Sequence, residues 1–282
     1  MRIGIFAKTF RRDSLAGVLD AVRAHGFASA QFNMACAGMA SMPERADADV
    51  AAAVKREADV RGIRLEAVSG TFNMAHPDPA VRAEGLRRLD HLAAMCAGMG
   101  IGIVTLGSGS RNPDDMWAPH RDNGSAEAWR DLLACMERAL DVAERRGVAL
   151  ALEPEAANVA NDARAARRVL DAMGSPRLRI VFDAANLVVG RERASWDGIL
   201  EEAAELLGGD IALAHAKDVR AMNARAAADG AGSPFRAVGR GDLDFASYFR
   251  LLRTAGFDGP VVMHGLEERD AAAGLAHLQK LS

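Results

Sequence analysis

Four residues stand where chemistry can be done: Glu153, Asp183, His215 and His264. Each closes an apolar run: VALALEPE (148–155), LRIVFDAAN (178–186), IALAHAKDV (211–219) and PVVMHG (260–265). Parallel strands lying side by side bring their C-terminal ends together. Two carboxylates and two imidazoles gathered there make an oxygen–nitrogen pocket for one divalent cation, compatible with Mn, Zn, Fe or Co. Taken singly, each residue has a plainer reading. Glu153 is expected to pair with an arginine, since a buried carboxylate needs compensation. Asp183 suits a helix cap or Asx-turn, although several residues separate it from the helix expected at 195. His215 alone reads as a satisfied core histidine. The ordered set, one residue on each of four consecutive strands, favours the metal.

Neighbours of these four suggest the rest of a site. Glu155 lies two residues beyond Glu153, in the same phase. Lys217 shares the phase of His215 and would repel a cation unless it faces negative charge; with Asp218 it reads equally as a strand-end ion pair or a substrate contact. Asn186 is either a substrate ligand or a turn residue. Asn73 and His76, in SGTFNMAHPD, suit hydroxyl recognition or a polar loop. Trp117 and His120 lie in a long loop, 107–124, and read either as a stacking and hydrogen-bonding wall for a sugar ring or as a surface loop with one packed aromatic. A second long loop, 220–241, is expected to border the same pocket, because long connections on such folds are usually functional. Within it GRGD (239–242) resembles a phosphate-cradling loop only faintly.

Elements to position these residues alternate from end to end. Strands are expected at 2–7, 29–34, 64–69, 101–106 and the four runs above. Helices are expected at 13–25, 47–61, 79–99, 125–146, 162–173, 195–207, 244–255 and 269–281, several with Ser or Asp at the start and Gly after the end. Eight strand–helix units in 282 residues predict a single (β/α)8 barrel domain over 1–282. The first turn, AKTFRRDS, has no glycine, which disfavours a dinucleotide-binding sheet. Parity agrees with a barrel. In 148–155 the residues in phase with Glu153 are Ala149, Ala151 and Glu155, while Val148, Leu150 and Leu152 face the helix layer.

Composition bounds the partners. Half the residues are hydrophobic, 26% are charged and the formal charge is −3, so no basic field draws the chain to nucleic acid or membrane. No apolar run approaches the ~18 residues of a membrane span. Cys36, Cys96 and Cys135 form no paired framework, which fits a reducing cytoplasm.

With LEPE at the fifth strand, D-x-x-N after the sixth, HAKD at the seventh, VGRGDLDF beyond it and GPVVMHGLEE at the eighth, the chain resembles the sugar isomerase/epimerase family of xylose isomerase-like TIM barrels over essentially its whole length. In ketose epimerases of that family, Glu, Asp, His and Glu on strands five to eight hold one metal, and the two glutamates work opposite faces of the substrate. The resemblance implies Glu153, Asp183 and His215 as ligands, with His264 where the second glutamate normally stands. It also puts Asn186 where a substrate-binding histidine is common. The implied activity is isomerisation or epimerisation of a carbohydrate or sugar phosphate through a metal-stabilised enediolate. Glu153 would be the base, His264 or Glu155 would return the proton, and Lys217 would steady the negative charge. A dehydratase of the same superfamily and a catalytically silent sugar-binding barrel are the alternatives. A DNA-cleaving relative would need a larger histidine cluster and a basic face, which seven scattered histidines and the charge argue against. A homo-oligomer is compatible with the sequence.

Overall fold

Eight strands close on themselves in a computed structural model that describes residues 1–221 and 233–282. They are β1 (Arg2–Phe6), β2 (Ser29–Phe32), β3 (Arg64–Ser69), β4 (Ile103–Gly107), β5 (Ala149–Glu153), β6 (Leu178–Asp183), β7 (Ile211–Ala216) and, after a short ribbon, β10 (Pro260–Met263). Round the barrel the order is β1, β10, β7, β6, β5, β4, β3, β2, and every neighbouring pair is parallel. The ribbon is antiparallel, β8 (Asp218–Val219) against β9 (Phe235–Arg236). The chain is thus the (β/α)8 barrel its alternation predicts.

Local chemistry sets the helix limits. Ser14, Asp47, Asp78, Ser125 and Asp162 accept backbone N–H groups at the starts of α1 (Leu15–Ala24), α2 (Ala48–Val60), α3 (Pro79–Met99), α4 (Ala126–Arg146) and α5 (Ala163–Met173). Gly100, Gly147 and Gly174 end α3, α4 and α5 in the left-handed conformation, which glycine adopts without a Cβ clash. A five-residue helix, α6 (Ala184–Val188), follows β6 directly and precedes α7 (Trp196–Leu207). The last two are α8 (Phe245–Thr254) and α9 (Glu268–Gln279). No described helix is long and apolar enough to cross a membrane.

Two apolar layers result. The larger fills the space between strands and helices; the smaller lies inside the barrel and comprises Ala67, Ala151, Val181, Leu213 and Val262. Four of these inner residues stand two positions before Glu153, Asp183, His215 and His264. Side chains two apart share a strand face, so the packed layer is the floor under the polar one.

All three cysteines are free and buried. Burial pushes their thiols up, to about 11 for Cys36 and about 12 for Cys96 and Cys135. The thiolate is the reactive form, so the folded protein at pH 8 should resist a thiol-specific colour reagent that labels all three cysteines in denaturant. Rapid labelling of even one thiol in folded protein would contradict this.

Candidate metal centre

Glu153, Asp183 and His215 converge at the C-terminal mouth of the barrel, each offering one donor atom within 4.8 Å of the others. Their strands are sequential neighbours, and Asp183 lies directly beside His215 in the register. Glu153 Oε1 accepts from Asn186 Nδ2 at 2.7 Å and lies 3.1 Å from His215 Nδ1. Asp183 divides its labour. Its Oδ1 accepts from the Asn186 backbone N–H at 3.1 Å and so caps α6. Its Oδ2 is buried without any hydrogen bond; Lys217 Nζ at 3.3 Å and His215 Nδ1 at 3.7 Å attract it only as charges. The expectation that Asp183 stands too far from a helix to cap one is therefore corrected, because the short helix α6 begins at the next residue.

His215 is oriented by a residue that the sequence reading does not single out. Gln31 Nε2 donates to Ser69 Oγ at 3.1 Å and Thr105 Oγ1 at 3.3 Å, which leaves Gln31 Oε1 facing His215 Nε2 at 2.8 Å. That oxygen only accepts, so Nε2 carries the proton. Nδ1 faces the two carboxylates and, without a cation, carries a proton as well; a bound cation would replace that proton, with Nε2–H held by the second partner usual for a metal-ligating histidine. A polar residue fully inside the strand SAQF was the available signal. Tyr248 on α8 braces the same strands: its hydroxyl lies 2.9 Å from the carbonyl oxygens of both Phe182 and His215.

Lys217 and Asp218 do not pair with each other. Lys217 turns inward, donating to Asn186 Oδ1 at 2.5 Å and lying 4.1 Å from the Phe235 ring centroid. Asp218 turns away and accepts from the backbone N–H groups of Gly239, Gly241 and Leu243 at 2.9, 2.9 and 3.2 Å. The GRGD stretch is thus spent on a carboxylate of its own chain, and the phosphate-loop resemblance has no structural counterpart. A Cβ on Gly241 would sit 2.2 Å from Asp218 Oδ1. Gly241→Ala should therefore cost ~1–3 kcal/mol of overpacking, plus part of the clamp, and lower the thermal midpoint. Exposed Arg240→Ala should stay within ~0.5 kcal/mol. Equal midpoints for the two variants would count against the clamp.

His264 lies beside the triad and outside the 4.8 Å group. Its ring meets His215 at a centroid distance of 5.1 Å and Phe6 at 5.6 Å, both edge-on. Burial, with the charges of His215 and Lys217, pushes it down to about 3. Burial opposes charge on His215 too, but Glu153 and Asp183 more than offset it and raise it to about 9. Burial would raise Asp183, yet Lys217 and His215 hold it below the ordinary carboxylate range. Glu155 goes the other way: burial, then repulsion from Glu153, push it up to about 8.

Above the triad lies a cavity of about 310 Å³, whose walls include Lys8, Gln31, Trp117, Glu153, Glu155 and His264. A second cavity of about 410 Å³ shares Trp117, Glu155 and His264 with it and adds Asn186, Lys217 and Phe235. Trp117, 53% exposed, stands between the two. Loop 107–124 thus borders both cavities, and loop 220–241 reaches the second through Phe235; residues 222–232 lie outside the described residues. Asn73, His76 and His120 line neither. Asn73 bridges Ser110 N and Asn112 O, His76 bridges Asp78 N and Pro113 O, and His120 accepts from Asp122 N. These polar groups hold loops together. A larger cleft, about 620 Å³, opens at the opposite end of the barrel. There Glu66 is already paired with Arg2, Arg64 and Ser29, as befits the stabilising face of this fold.

The donor set fits a divalent cation: two carboxylates, one with a buried oxygen that accepts no hydrogen bond, and an imidazole held with Nδ1 toward them. Comparison with known proteins places the architecture. Residues 19–281 match the family model described as xylose isomerase-like TIM barrel, and the chain belongs to that family. Similar solved structures include D-psicose 3-epimerase from Clostridium cellulolyticum H10, solved with D-tagatose (18% identity, 100% of this chain and 99% of that one, TM-score 0.74). Another is the probable 3-DHS dehydratase AsbF from Bacillus anthracis (10%, 99% and 99%, 0.75). A third is the IOLI protein with a bound zinc atom (14%, 100% and 99%, 0.74). At these identities the likeness is one of fold. No curated protein matches the sequence significantly.

Proposed function

We propose that this protein is a metal-dependent isomerase or epimerase of a carbohydrate or sugar phosphate, acting by proton transfer next to a carbonyl. The observation that carries the reading is the convergence of Glu153, Asp183 and His215 on one point, with Asp183 Oδ2 orphaned, beneath a sugar-sized cavity. Those three side chains would hold the cation, with His264 as a fourth donor. The cation would supply Lewis acidity, drawing negative charge onto oxygen as the proton leaves carbon.

The protein's own groups do the rest. Glu153 accepts the proton from carbon; Asn186 Nδ2 donates to its Oε1, which leaves Oε2 to take the proton. Glu155, kept protonated near neutrality by burial and by Glu153, suits proton return. Lys217, fixed by Asn186, Asp183 and Phe235, keeps positive charge beside the position where negative charge develops. Trp117 walls the sugar.

The test has two readouts. Metal-stripped protein should gain stability on adding Mn²⁺, Co²⁺ or Zn²⁺, by about 2.7 kcal/mol at 100 times Kd. The loaded protein should exchange carbon-bound hydrogen with D2O in one or more of a panel of ketoses and their phosphates. Protein that gains no stability from any of these ions and exchanges no hydrogen is not this enzyme.

A further inference from the structure

The 310 Å³ cavity is electrically lopsided. Its acids are Glu153, which closes β5, and Glu155 two residues on. Among the described residues that line it, the one lysine or arginine is Lys8, which follows β1. In the closed ring β1 and β5 stand four strands apart in either direction, so Lys8 and the two acids occupy opposite sides of the mouth. Between them lie Asn33, Ser41, Ser69, Thr71 and Thr105, whose side chains both donate and accept and so suit the hydroxyls of a sugar.

The acids have their own cations nearby: His215 is 3.1 Å from Glu153, and Lys217 is 3.3 Å from Asp183. Lys8 is exposed and, among the described residues, its ammonium has neither an ion pair nor a hydrogen bond. Its backbone is nevertheless fixed. Lys8 sits in a three-residue 3-10 helix, Ala7–Thr9, with Ala7 and Phe10 buried on either side and Phe10 N–H donating to Ala7 O at 3.1 Å. Lys8 also lines an outer groove of about 300 Å³. The charged residues of that groove are three cations and one acid: Lys8, Arg11, Arg12 and Asp13. Glu268 holds Arg12 at 2.5 and 2.9 Å; Arg11 is exposed, and its guanidinium has no ion pair among the described residues. The sugar cavity thus passes, at Lys8, into a groove with cationic walls.

Resting on the proton-transfer reading above, we infer that the substrate is an anionic sugar, a ketose whose far end carries a phosphate or carboxylate held by Lys8, with Arg11 as the second cation of the groove. An ammonium only donates, so it favours a group that only accepts, and an oxyanion is such a group. With the reacting carbons over the triad, the anion lies on the side of the mouth away from Glu153 and Glu155, which would repel it. Lys8 is therefore a specificity-determining residue and moves no proton.

The experiment uses manganese-loaded protein with D-fructose, D-tagatose and D-psicose, each as the free sugar, as its 6-phosphate and as the acid with a carboxylate at C6. Calorimetry reads binding, and hydrogen exchange in D2O reads turnover. Expected is an anionic form that binds at least ~10-fold more tightly than its free sugar, the usual worth of a hydrogen bond to a charged group, by a margin that shrinks as salt is added. Whether phosphate or carboxylate is preferred names the terminal group. Lys8→Met should remove most of the preference, Lys8→Arg should retain it and Lys8→Glu should reverse it. Lys280→Met, which removes an exposed lysine elsewhere, should leave it intact. In turnover the Lys8 effects should lie in KM more than in kcat. The inference is overturned if no anionic form binds more tightly than its free sugar. It is equally overturned if the preference survives Lys8→Met at full size, which would put the anion on the metal. A preference that needs Lys8, in protein that exchanges no hydrogen, is a different result: it refutes proton transfer and leaves the assignment of Lys8 standing.

Discussion

Glu153→Gln is expected to reduce turnover by at least ~10²–10⁴-fold, the usual contribution of a general base, while the barrel stays folded. The amide is nearly isosteric, and its oxygen can still accept from Asn186 Nδ2, so local packing survives. What it loses is charge and basicity: an amide takes no proton at neutral pH and is a poorer ligand. His264→Gln is expected to cost less, because His264 is asked mainly to ligate and three ligands retain a metal in an open site. Each variant is assayed by proton exchange on the ketose panel, with metal content measured alongside. A Glu153→Gln protein that keeps both metal and wild-type turnover would pass the role of base to Glu155. Loss of metal together with activity would identify Glu153 as a ligand and leave the base unassigned.

Asp183→Asn should produce the largest change in stability. Lys217 and His215 are buried beside the two carboxylates, and in metal-free protein the four groups balance one another. The asparagine oxygen can still cap α6 through the Asn186 N–H, so the substitution isolates the charge. Breaking a buried pair from one side typically costs ~3–5 kcal/mol, because the other charge stays buried without its partner. For a chain of this size that corresponds to a fall of roughly 6–20 °C in the thermal midpoint. Lys217→Met alone should also destabilise, by leaving excess negative charge. The double variant should be more stable than the sum of the single effects, since the pair is removed together. Calorimetry on metal-stripped proteins reads all four corners of the cycle. Additive losses would show that Asp183 and Lys217 are not coupled. Added metal should stabilise the wild type and fail to stabilise Asp183→Asn.

What the sequence determined by itself is the barrel and the mouth of the site. Period-two alternation, Ser and Asp caps and left-handed glycines are local properties, and each strand and helix forms within a few residues of its expected limits. Closure then follows, because eight parallel strands with helices on one side have one economical way to bury both faces. Parity fixed which residues point inward, so Glu153, Asp183 and His215 meet.

Tertiary structure decided everything that depends on a partner distant in the chain. Gln31 sets the His215 tautomer from the other side of the barrel, 184 residues away. Asn186 becomes a bridge between Glu153 and Lys217 because α6 starts at once after Asp183. Asn73, His76 and His120 carry the right chemistry for sugar hydroxyls, but loop packing takes up both polar ends of Asn73 and His76 and the Nδ1 of His120. Asp218 and the GRGD stretch are legible as polar residues, and only their contact shows that one satisfies the other. The division has a physical cause. Backbone preference and hydrophobic period act within a turn or two, whereas the state of a buried polar side chain is set by whichever group the closed barrel presses against it.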